Sequence, residues 1–93
     1  VPQEAIVNSL EDGPTARMIE TALALGDLQR VERFSEQLMQ LSQTNGPLVQ
    51  LDVLMFVHNI IHRLEEAGNF DTASNLRASS MEILQGLHEK QST

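Results

Sequence analysis

Residues 47–69 read PLVQLDVLMFVHNIIHRLEEAGN, and this stretch decides the fold. Between Leu48 and Ile61 the only polar residues are Gln50, Asp52, His58 and Asn59. Pro47 suits the first turn of a helix, where its missing N–H costs nothing, and Gly68-Asn69 suits the left-handed turn that ends one. The run therefore predicts a helix over about 47–67. On a helical wheel Asp52, Asn59, Arg63 and Glu66 share one narrow polar strip, and apolar residues fill most of the remaining circumference. A helix that is apolar nearly all round is packed from several sides, so this one is expected to be central.

Outward from it, the same punctuation recurs. Asp12-Gly13-Pro14, Gly26-Asp27 and Asn45-Gly46-Pro47 each mark a helix end or start. A helix is expected from Pro14 to Leu25 with Met18, Ile19, Ala22 and Leu23 as its stripe. Asp27 then caps another, whose apolar positions Leu28, Val31, Phe34, Leu38 and Leu41 follow the 3–3–4–3 spacing of one-sided burial. A last helix, capped near Asp71, presents Ala73, Leu76, Ile83, Leu84 and Leu87 and frays after His88. A short helix over 3–10, with Ala5, Ile6, Val7 and Leu10, precedes them all. No segment shows the β-branched alternation of a strand. The expected fold is all-α, an antiparallel four-helix bundle in a single domain: a lid helix over 3–10, the bundle over 14–88 and a polar tail over 89–93. Gly26-Asp27-Leu28-x-x-Val31-x-x-Phe34 is echoed by Gly68-Asn69-Phe70-x-x-Ala73-x-x-Leu76. The echo fits a duplicated helix pair, although two helices that each open at a Gly-Asx corner explain it more simply.

Composition narrows the function classes. Ninety-three residues make one domain, and a chain beginning at Val1 is expected to be an excised domain or a processed product. With no cysteine there is no disulfide framework and no thiolate metal site. That absence, with no signal segment and no apolar run long enough to span a bilayer, points to a cytoplasmic location. Six basic residues against thirteen acidic ones give a net charge of −7. Phosphate backbones and anionic membranes need clustered Lys and Arg, so neither nucleic acid nor membrane is an expected partner. A partner with a basic or apolar face fits better.

Few residues offer chemistry. His58 and His62 stand four apart on one side of the long helix, a two-ligand spacing for zinc, but no Glu follows the first and no third ligand is adjacent. Two border residues half-covered by their neighbours explain the pair as well. The carboxylates in Glu11-Asp12 and Glu65-Glu66 are sequence neighbours, which do not face each other on a helix. Ser74, Ser79 and Ser80 lack a glycine-framed turn and a nearby base. No catalytic residue, metal ligand, cofactor or small-molecule substrate is expected. The methionines are more informative: Met55 projects into the polar strip and Met39 stands off the Val31–Leu38 seam. An exposed Met can line an adaptable binding groove, and a buried one fills an irregular gap in a core.

Leu10-Glu11-Asp12, then Ala22-Leu23-Ala24-Leu25-Gly26-Asp27-Leu28-Gln29-Arg30-Val31, resembles the histidine phosphotransfer domains, as does the corner Glu65-Glu66-Ala67-Gly68-Asn69-Phe70. In that family a helix after the first corner carries His-x-Leu-Lys-Gly, with a Gly ten residues beyond the His. Here Glu36-Gln37-Leu38-Met39-Gln40 takes that place and Gly46 the later one. The resemblance, over about residues 10–87, implies a degenerate member that keeps the bundle and a docking surface but has Glu36 where the phospho-accepting His would stand. Phe70-Asp71-Thr72-Ala73-Ser74-Asn75-Leu76 and Met81 are similar to the steroid receptor RNA activator protein domain, shared with the C-terminus of the COPII outer-coat subunit, although that family's final tryptophan-containing helix is missing. That similarity implies a helical scaffold.

The function expected is a non-enzymatic adaptor: a module that binds a protein partner, or its own copy, through a helix face. The alternatives are a signalling domain of phosphotransfer type and a scaffold domain of a larger assembly. Helix 47–67 has more apolar surface than a small bundle can cover. Met55, Phe56, Asn59 and Met39 are the expected partner-binding residues. The competing expectation is that Ile6, Val7 and Leu10 fold over Met55 and Phe56.

Overall fold

The computed structural model describes residues 14–92, and the short helix expected over 3–10 lies outside them. Four helices follow in order: α1 (Pro14–Leu25), α2 (Leu28–Ser42), α3 (Pro47–Glu66) and α4 (Phe70–Ser92). They form an all-α four-helix bundle, with no strand among the described residues. No described helix is long and apolar enough to cross a membrane.

The corners follow from their residues. Gly26 has φ +74° and Gly68 φ +84°, a left-handed backbone that L side chains rarely adopt. At the first, the Asp27 N–H donates to the Ala22 carbonyl at 2.9 Å and the Gly26 N–H to Leu23 at 3.1 Å. At the second, Asn69 donates to Leu64 at 2.8 Å and Gly68 to Glu65 at 3.0 Å. Both are Schellman closures, in which two of the carbonyls left over at a helix end find donors. The sequence echo thus corresponds to one backbone device used twice. Asp27 also opens α2, its carboxylate accepting from the Arg30 N–H at 3.4 Å. The α2–α3 corner differs: Gly46 is extended at φ −69°, Pro47 occupies the first turn, and the buried Gln50 side chain donates to the Asn45 carbonyl at 2.9 Å. One of the few polar residues in the apolar run therefore locks the loop ahead of it.

Packing departs from the expected centre. α2 approaches α1, α3 and α4 alike, whereas no Cα of α1 comes within 8 Å of one in α3 or α4 among the described residues. Helices α2, α3 and α4 make a three-sided core, and α1 lies along α2. α1 still lends Ile19 and Ala22 to the common core, and its Glu20 carboxylate accepts two bonds from Arg63 of α3, at 2.7 and 2.8 Å. α3 is the largest donor to the core, through Val49, Val53, Val57, Ile60, Ile61 and Leu64. Each large aliphatic side chain fully buried there stabilises the fold by about 1.5–3 kcal/mol relative to exposure. It is covered on one side only, because a three-sided core gives each helix two neighbours.

Smaller expectations change too. Leu41, Met18 and Leu84 sit on the stripes assigned to the core yet are exposed. α4 begins at Phe70, so Asp71 lies in its first turn rather than at its cap, and the polar tail continues the helix to Ser92.

Candidate functional site

The four residues expected to bind a partner separate. Met39 is 1% exposed, so it belongs to the core and not to a surface. It lies off the Val31–Leu38 seam on the wheel, but α2 has neighbours on three sides, so a wide sector of it is covered. The bland reading of Met as a gap-filler holds for this residue. Phe56 is half-buried and packs against the core, on the flank of α3 that also carries Arg63. Met55 is 71% exposed, and Asn59, one turn on, is exposed beside it.

Met55 is not alone. It lines a shallow groove where the outer edges of α3 and α4 meet, with Leu51, Leu54 and His58 on one wall and Arg77, Ser80, Met81 and Leu84 on the other. The groove runs on past Gln85 and His88. Leu51, Met81 and Leu84 are exposed, as is Leu48 one turn before Leu51 on α3, 73% open. Along α3 the exposed row is Leu48, Leu51, Met55, His58 and His62, stepping by three and four residues in turn. Along α4 it is Arg77, Met81, Leu84 and His88, stepping four, three, four. A mean step of 3.5 residues keeps each row on one side of its helix and is the spacing by which helices seat a partner helix. Leu48, Leu51 and Met81 were not among the expected partner-binding residues and Leu84 was expected in the core, and this alternation is the signal that finds them.

Polar groups frame the groove without converging on a reactive point. Arg77 donates to Glu65 across the α3–α4 seam at 2.6 Å. The His58 and His62 rings meet edge to face with centroids 5.9 Å apart. Among the described residues no three His, Asp or Glu side chains gather as a metal site would require. On the far edge of α4, Ser79 donates to the half-buried Glu36 of α2 at 2.5 Å. Glu36 is thus engaged in an interhelical contact.

A second, smaller cleft lies between α1 and α2, lined by Met18, Leu25 and Phe34 with Arg17 and Arg30 at its margin. It lacks the paired rows of the first. No protein-family model, curated protein or solved structure matches the chain.

Proposed function

We propose that this chain is a non-enzymatic interaction module that seats a helix of a protein partner in the α3–α4 groove. The observation that carries the reading is the pair of exposed rows, Leu51–Met55 on α3 and Met81–Leu84 on α4, aligned side by side at heptad spacing. Large apolar side chains exposed together, rather than scattered, favour association over solvation. Two methionines at the centre suit a surface that adapts to its ligand. A partner helix laid between the rows would bury both at once, as helix-in-groove recognition does. The groove is open and its walls are mostly apolar, which suits the burial of a helix face. A signalling role of phosphotransfer type, or a scaffold role in a larger assembly, would use the same surface for docking, and Glu36 would lack the imidazole through which such a relay passes its phosphoryl group.

The test is site-specific photocrosslinking in an extract of the native source. A crosslinker at Met55 or Met81 should capture one protein, a crosslinker at the exposed Gln29 on α2 should not, and Met55→Glu should remove the capture with little change in Tm. Capture from Gln29 alone, or capture that survives Met55→Glu, would place the interface elsewhere.

A further inference from the structure

We infer that the helix seated in the α3–α4 groove is basic along both flanks, an inference that rests on the docking reading above and adds the partner's charge. Going round each helix away from the groove, the first charged side chains outside the two rows are acidic. On α3 they are Asp52 and Glu66, with Arg63 in the same strip but already paired with Glu20 of α1 at 2.7 Å, and on α4 they include Asp71 and Glu82. These four acidic residues are exposed. Within the groove, by contrast, Arg77 already has its carboxylate, Glu65, at 2.6 Å. The geometry is an apolar trough flanked on each side by acidic groups, Asp52 and Glu66 on α3 and Asp71 and Glu82 on α4, that make no ion pair among the described residues.

Such a surface selects by charge. In helix-to-helix docking, apolar residues in the seam supply the burial, and the residues flanking the seam choose the partner. From Leu48 to His62 the α3 row spans about 21 Å at 1.5 Å per residue, enough for about four turns of a partner helix. A helix with Lys or Arg beside its apolar stripe would meet opposite charge on both sides. A second copy of this chain would not. A twofold contact through the groove sets acidic rims against acidic rims, on molecules that each carry a net charge of −7.

Two peptides of about three heptads, with Leu at both seam positions, would test this. One carries Lys at the flanking positions and the other Glu, and both are titrated by fluorescence anisotropy at pH 7.5 in about 50 mM salt. The Lys peptide should bind about tenfold or more tightly, with the gap closing as salt rises toward about 500 mM. Asp52→Lys with Glu82→Lys should erase the preference, while Glu32→Lys on α2, on the other side of the bundle, should leave most of it. Met55→Glu should weaken both peptides. Equal binding of the two peptides, both lost on Met55→Glu, would overturn the charge inference and leave the docking reading standing. Failure of both peptides to bind would remove the docking reading as well. A concentration-dependent dimer by sedimentation, broken by Met55→Glu, would name a second copy as the occupant. Tighter peptide binding on Ile6→Asp with Leu10→Asp would name residues 1–13 of this chain instead. Either of those two results overturns the inference.

Discussion

The two sides of α3 are made from the same kinds of side chain and meet opposite fates. Val53, Val57, Ile60 and Leu64 are buried to within about a percent of completely, whereas Leu48, Leu51 and Met55 on the other side stay exposed. The contrast is sharpest between two methionines: Met39 on α2 is sealed in the core and Met55 on α3 is open. Neither composition nor local propensity separates them. The number of neighbours does, since α2 is approached by three helices and α3 by two. Hydrophobicity sets how much burial would be worth, and topology sets how much is available.

The largest expected effect breaks or upholds that comparison directly. Met39→Ala leaves a cavity in the core and should destabilise by about 2–5 kcal/mol, read as a large fall in the denaturation midpoint with an unchanged denaturant slope. A loss under about 0.5 kcal/mol would mean that Met39 is not sealed in as described.

Next in size is the corner that brings α1 onto α2. At Gly26 a Cβ would meet no atom within 4 Å, so substitution is strained by backbone conformation alone. Gly26→Ala should cost about 1–2 kcal/mol, measurable by chemical denaturation. A neutral result would show that the corner relaxes and that α1 is held by packing rather than by its turn.

Ser35 sharpens the inner side of the comparison. Its hydroxyl oxygen is fully buried on α2 and has no hydrogen-bond partner among the described residues. Removing an unsatisfied buried polar group recovers its desolvation cost, so Ser35→Ala should stabilise by about 1 kcal/mol, raising Tm by about 4–8 °C for a domain of this size. A fall in Tm would mean that the hydroxyl has a partner. Ser42, also buried on α2, provides the contrast, because its hydroxyl donates to the Met39 carbonyl at 2.6 Å. The smallest expected effect completes the pair of methionines. Met55→Ala should change stability by less than about 0.5 kcal/mol, and a loss near that of Met39→Ala would mean that the outer row is covered after all.

Much of this was legible in the chain, and the candidate site only in part. Met55 and Asn59 stand where the wheel of α3 predicts, because one helix with a polar strip carries its own angular reference. Met39 and Phe56 do not, because their exposure depends on neighbours that their own helices do not specify. The α4 wall of the groove, Met81 and Leu84, was hidden for the same reason: on a weakly patterned helix no strip says which of several apolar residues faces a neighbour.

What the sequence alone determined is the helices and their ends. Pro14 and Pro47 begin two of them, Asp27 caps a third, and Gly26 and Gly68 close two with a positive φ. Those choices depend on interactions within a few residues, so they are written locally. Only the tertiary structure decided that α1 lies along α2, lending Ile19 and Ala22, while the other three helices pack against one another round the core. It likewise decided that the α3–α4 edge is left open. A helix carries the angles between its own side chains, but which angle finds cover depends on where other helices lie, and that is fixed by contacts between residues far apart in the chain.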